Sequence, residues 1–67
     1  MSVARVTEIS ATSPKSFEDA VNIGVERANQ TLRNVKAAWV KEQQVKVTDG
    51  KAIEWQVNML VTFVLDE

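Results

Sequence analysis

The side chains that most often carry enzymatic chemistry are missing from this sequence, which has no His and no Cys. The usual general base and thiol nucleophile are therefore absent, and the Ser, Thr, Lys and carboxylate residues that remain form no recognisable catalytic motif. An enzymatic function is not expected. The same absences remove a disulfide framework and the commonest structural zinc ligands. Carboxylates remain as donors for hard cations, but none recurs at alternate positions before a Gly as in an EF-hand loop. Glu18, Asp19, Glu26 and Glu42 read as solvated surface charges, or as groups that several copies gather around a symmetry axis. The remaining candidate chemistry is recognition by a flat aromatic surface, and Trp39 on a strand-like stretch offers it.

That stretch belongs to a hairpin that organises the chain. Two apolar-patterned runs between Val35 and Leu65 are joined by Thr48-Asp49-Gly50-Lys51, and an Asp-Gly pair suits a type I′ turn, in which both central residues need φ > 0. In the second arm Ile53, Trp55, Val57, Met59, Val61, Phe63 and Leu65 occupy every second position. Alternation across a strand puts all seven on one face, which must be buried. With Asp49 and Gly50 alone in the loop, facing residues have numbers that sum to 99. Gln56 then faces Gln43, Leu60 faces Trp39 and Thr62 faces Ala37 on a second face, with Val35 and Val64 at its apolar end and Asn58 at its polar end. Lys41 shares this face, and Lys36 and Lys46 fall on the other. A single bulge would reverse part of the register.

The N-terminal part must cover the apolar ladder. Val3 to Ile9 reads as a short strand, Ser10 to Ser13 as a polar break, and Thr12-Ser13-Pro14 as a helix start with Ser13 capping and Pro14 in the first turn. Glu18 and Asp19 suit the positive end of the helix dipole, and Arg27 and Arg33 lie toward its negative end. Within Pro14 to Leu32 the stripe Phe17, Ala20, Val21, Gly24, Ala28 and Leu32 recurs at helical spacing. Gly24 on that stripe costs about 1 kcal/mol of helix propensity relative to Ala, so a close approach of helix to sheet is expected there. The fold class is α+β: a β-α-β-β chain forming a three-stranded antiparallel sheet packed on one helix. One helix covers one face, and Trp39, Leu60 and Val64 on the other form a patch suited to an interface or a ligand groove.

Sixty-seven residues make one domain, a size at which roughly 60% of the surface is buried and stability is marginal. With disulfides and zinc removed, oligomerisation is the expected staple. The formal net charge of −1, with eight basic and nine acidic residues and no run of like charge, argues against nucleic-acid binding through phosphates. Met1 to Arg5 has no apolar leader core, and no segment approaches the ~20 apolar residues of a bilayer span. A cytoplasmic protein with no membrane partner is expected.

The residues Thr12-Ser13-Pro14, Glu26-Arg27-Ala28, Thr31-Leu32-Arg33, Asp49-Gly50, Gln56-Val57 and Val61-Thr62-Phe63 resemble the dodecin family in order and spacing, without a gap over nearly the whole chain. The resemblance implies one dodecin-like domain over residues 1–67, assembled with itself into a hollow homododecamer. It also implies a non-enzymatic role in binding or storing flavins such as riboflavin, lumichrome or FMN. In flavin-binding members a Trp stacks on the ring at the position held here by Ala37, and a Glu is usual where Trp39 stands. The Gln that meets the ring's polar edge matches Gln56. Residues 37 and 39 share a strand face about 6.6 Å apart, so Trp39 either stacks on a shifted planar ligand or fills space between subunits. Trp55 belongs to the apolar ladder and reads as core. Members that lack the stacking Trp resemble this chain in Val40 to Gln43 and are known as calcium-binding dodecins. They imply the alternative of a cage that does not bind flavin and has a structural or calcium-binding role.

Overall fold

The computed structural model describes residues 3–65. The elements run β1 (Ala4–Ser13), α1 (Phe17–Thr31), β2 (Val35–Thr48) and β3 (Lys51–Val64). They form the expected three-stranded antiparallel sheet, with order β1-β3-β2. The most regularly alternating strand is therefore central and the other two are edges. Asp49 and Gly50 take φ of 53° and 75°, as a type I′ turn requires.

The helix lies on the β3 ladder. Val57, Met59 and Val61 are fully buried, and Val57 and Met59 pack with Ala20 and the partly buried Ile9, Ala11, Phe17 and Val40. The ladder is sealed only at its centre: Trp55 and Phe63 are half-buried, and Ile53 and Leu65 are exposed. Length explains this, because a 15-residue helix spans about 22 Å, whereas a 14-residue strand spans about 46 Å. Gly24 is buried where helix and sheet come closest. A Cβ there would lie 2.6 Å from Met59 Cε, 3.0 Å from Ala11 Cβ and 3.5 Å from Ile9 Cδ1. The propensity lost at Gly24 is thus the condition for close packing on Met59.

The N-terminal boundaries differ from the sequence reading. Strand β1 continues to Ser13, so residues 10–13 are strand and not a break, and the cap is Ser16. Ser16 Oγ accepts from the Asp19 amide at 3.0 Å, in a Ser-x-x-Asp arrangement that is itself a helix-start signal. Ser13 cannot cap because it pairs with Trp55 in the sheet. Its buried hydroxyl accepts from Lys15 N at 3.0 Å and donates to Asp19 Oδ2 at 2.6 Å, tying the strand end to the first helical turn. The helix closes with Leu32 N–H donating to Ala28 O. Its last turn holds no basic residue, since Arg27 lies earlier and Arg33 beyond the cap. Asn34, at φ 60°, turns the chain into β2.

The hairpin register departs from the sum of 99 through three bulges. Lys36 and Lys41 are extra residues in β2 and Ile53 is extra in β3. Ala37↔Thr62, Trp39↔Leu60 and Thr48↔Lys51 stand as expected, but Gln56 faces Gln44, and Gln43 faces Val57. Val35 faces Phe63 and Lys46 faces Glu54. Gln43 and Val35 therefore belong to the helix side, and Lys46 to the opposite side. Bulges and lysines on an edge strand are familiar devices against unwanted strand pairing, and β2 carries both at Lys36 and Lys41.

Gly24→Val tests the close approach. Overpacking against fully buried Met59 should cost about 2 kcal/mol, read as a lower urea midpoint at fixed protein concentration. An unchanged midpoint would show that the helix stands off the sheet.

Candidate functional site

The sheet face away from the helix carries the candidate residues. Strand alternation and the register place Ala37 and Trp39 of β2, Gln56, Asn58, Leu60 and Thr62 of β3, and Glu8, Ser10 and Thr12 of β1 on it. No element covers it, and Trp39 retains 72% of its surface. An indole this exposed on an apolar sheet end, beside Ala37 and opposite Leu60, is a platform that lacks a cover.

The other end of this face is a hydrogen-bonded polar network. Gln56 Nε2 donates to Ser10 Oγ at 2.9 Å and to Asn58 Oδ1 at 3.4 Å, and Asn58 Nδ2 donates to Glu42 Oε1 at 3.0 Å. Glu42, Gln44, Gln56 and Asn58 line a shallow cleft above β2 and β3. Gln56 spends its donors inside the chain, which leaves its Oε1 to accept from outside. Lys41, displaced by its bulge, reaches over β3 to Glu8 at 3.4 Å. Both side chains of that ion pair are about half exposed, so it contributes little to stability.

All three sequence-derived candidates share one face but do not converge on one point. Gln56 lies four positions along β3 from Leu60, the partner of Trp39, so Trp39 and Gln56 of one chain are about 14 Å apart. Ala37 lies two residues farther on. A small ring cannot touch both the indole and the Gln56 amide of one chain. Asn58 is expected at the polar end of this face, whereas Ser10 and Glu42 have no place on it in the sequence reading. Ser10 was assigned to a break, and the face of Glu42 depends on the Lys41 bulge.

The described carboxylates do not cluster within one chain. Among the described residues no group of three or more Asp, Glu, His or Cys side chains is placed to hold a metal ion. Glu18, Asp19, Glu26 and Glu42, read as solvated surface charges or as groups gathered across copies, are spread over the helix and β2 within one chain, and Asp19 and Glu42 are hydrogen-bonded to Ser13 and Asn58. No helix among the described residues is long and apolar enough to cross a membrane.

The β-α-β-β fold of this chain is that of the dodecins, and the chain belongs to the dodecin family, whose model matches residues 3–66. It is similar to the dodecin from Streptomyces davaonensis, with 42% identity and a TM-score of 0.93 over 98% of this chain and 97% of that one. The Thermus thermophilus tt0972 protein gives 31% identity and a TM-score of 0.94, covering 100% and 98% of the two chains. The calcium dodecin of Mycobacterium tuberculosis is 35% identical over 63 residues, 94% of this chain and 89% of the relative. A crystal structure of the M. tuberculosis calcium dodecin, described as having a novel calcium-binding site, superposes with a TM-score of 0.82 over 96% of this chain and 91% of that one.

Asn58→Ala tests the polar network. It removes the link between Gln56 and Glu42 and should cost about 1 kcal/mol in urea unfolding, while the far-UV circular dichroism of the fold is retained. A neutral effect would mean that water replaces the bridge without loss.

Proposed function

We propose that this chain is a single domain over residues 1–67 and one subunit of a non-enzymatic, cytoplasmic homododecamer that binds or stores a small planar ligand. The ligand class is the flavins, riboflavin, lumichrome or FMN, taken up on the open sheet face. The observation that carries this reading is the exposure of Trp39 on the face that also holds Gln56. An aromatic surface left in water gains from stacking on a flat ring, worth about 0.5–1.5 kcal/mol beyond area burial. Gln56 Oε1 offers an acceptor to the ring's polar edge. The ~14 Å between the two groups within one chain is why the reading requires several copies. Ala37, where a stacking Trp would stand, instead leaves room beside Trp39. Missing general bases and thiols support a binding role over catalysis, and the absence of Cys agrees with a reducing compartment.

Riboflavin fluorescence provides the test. Micromolar protein should quench it, and Trp39→Ala should weaken the binding about tenfold, the equivalent of about 1.4 kcal/mol. Fluorescence that stays at the level of free riboflavin overturns the flavin reading.

A second reading, a dodecin-type cage that binds calcium or serves a structural role, is favoured by the 35% identity to the M. tuberculosis calcium dodecin. A Ca²⁺ ion takes six to eight oxygen ligands, and the described residues of one chain hold no cluster of three acidic side chains. Carboxylates and carbonyls from neighbouring copies would have to complete the shell. Calorimetry with Ca²⁺ up to millimolar concentration should then show saturable heat with fewer ions than chains, whereas no heat removes the calcium reading.

A further inference from the structure

The turn residues Asp49 and Gly50 suit the backbone geometry of the hairpin, and they also set a carboxyl beside an unhindered amide. One methylene carries the Asp49 carboxyl, so its carbon can close a five-membered ring with the nitrogen of the next residue. A following side chain would shield that nitrogen. Gly50 has none, and nothing lies within 4 Å of where its Cβ would stand. No other Asp or Asn in the sequence precedes a Gly. Asp19 lies in the first turn of α1, where it is bonded to Ser13, and Asn22, Asn29, Asn34 and Asn58 precede Ile23, Gln30, Val35 and Met59.

Both reacting groups are exposed and uncommitted. In a two-residue loop the hydrogen bonds run between the outer residues, here Thr48 and Lys51, and leave the Gly50 N–H out. Among the described residues none holds the Asp49 carboxylate. The remaining obstacle is the turn itself, because Asp49 at φ 53° must rotate before its carboxyl meets the Gly50 nitrogen. The tip is poorly placed to resist that rotation. Beyond the Ser13↔Trp55 pair β3 loses its β1 neighbour, and residues 46–54 continue as a bare two-stranded ribbon, a form marginally stable in water. A register shift between Lys46 and Val47 interrupts the ribbon further. Such a segment opens locally at far less cost than the core.

We propose that Asp49 is a site of spontaneous isoaspartate formation in the folded protein. The Gly50 nitrogen attacks the carboxyl carbon of Asp49 in its acid form. The C–N bond forms as the C–OH bond breaks, and the amide proton leaves with the hydroxyl as water. Water then opens the succinimide at either carbonyl. Addition at the side-chain carbonyl restores Asp49, and addition at the main-chain carbonyl leaves the main chain running through the side-chain methylene. One water is released and one is taken up, so the mass is unchanged. The product carries an extra main-chain carbon in a loop whose length sets the hairpin register. The Thr48↔Lys51 and Val47↔Ala52 pairs are lost with it. The disturbance ends where Ser13↔Trp55 begins the three-stranded sheet, and Val57, Met59 and Val61 stay buried.

The test is to hold the native protein at physiological temperature and neutral pH for several weeks and then digest it at its lysines. Residues 47–51 should yield a second peptide of the same mass and shifted retention, which accepts a methyl group from an isoaspartyl methyltransferase. Asp49→Asn fits the same turn, loses ammonia in place of water, and should convert severalfold faster. Gly50→Asn tolerates positive φ but covers the nitrogen, and should convert severalfold more slowly. In the aged protein, amide exchange should quicken over residues 46–54 and stay slow at Val57, Met59 and Val61. An intact Asp49 in the native protein, under conditions where the urea-unfolded chain converts, overturns the proposal by showing that the turn closes the route. Equal rates in the parent chain and Gly50→Asn overturn it by removing Gly50 as the nucleophile.

Discussion

The rest of the fold depends on the contact between Gly24 and Met59. A sheet of three strands can bury one face under a single helix only if the helix approaches closely, and the missing Cβ at Gly24 permits this where Met59, Ala11 and Ile9 converge. The approach fixes β3 as the central strand and makes Val57, Met59 and Val61 the buried part of the ladder. It also fixes what stays open, since 15 helical residues cannot cover strands of 14. The uncovered hairpin tip follows from that difference in length, and the uncovered outer face from there being one helix for two sheet faces.

Strong periodicity and turn chemistry made much of this fold legible. The alternation from Ile53 to Leu65 and the Asp49-Gly50 turn leave one hairpin and one helix-facing side, and the small residues Ala20, Gly24 and Ala28 define the helix face, all three being buried. The helix start was misplaced because two Ser residues stand three apart and Pro14 follows the first. The acidic residue three positions beyond Ser16 was the discriminating signal, and Ser13 was already committed to the sheet. The bulges were hidden for another reason. Residues 41–44 are polar and exposed whichever way they face, so inserting Lys41 changes no hydrophobic pattern, and only the hydrogen-bond ladder reveals that Gln44, not Gln43, stands opposite Gln56.

The candidate site was legible to the same uneven degree. Trp39 follows from position alone, because Trp39↔Leu60 lies in a segment whose register is restored by two compensating bulges on its turn side, Ile53 in β3 and Lys41 in β2. Gln56 was singled out by resemblance, and its partners were not. Ser10 reaches it only because β1 extends past Ile9, and Glu42 joins through Asn58 only because Lys41 bulges. The polar end of this face is thus a product of backbone irregularity, which residue types do not announce.

The disposition of charge bears on which ligand this face suits. A cation site needs carboxylates whose oxygens are free to converge, yet three of the carboxylates are engaged within the chain: Glu8 with Lys41, Asp19 with Ser13 and Glu42 with Asn58. Each contact occupies one carboxylate oxygen and leaves the other to accept, so these contacts fix where the groups point without removing them as donors to a cation. The Trp39 indole is exposed, and Gln56 already has both donor contacts made, with an acceptor oxygen to spare. This face therefore presents an exposed ring and a spare amide acceptor, whereas within one chain the described carboxylates form no group of three placed to hold a cation.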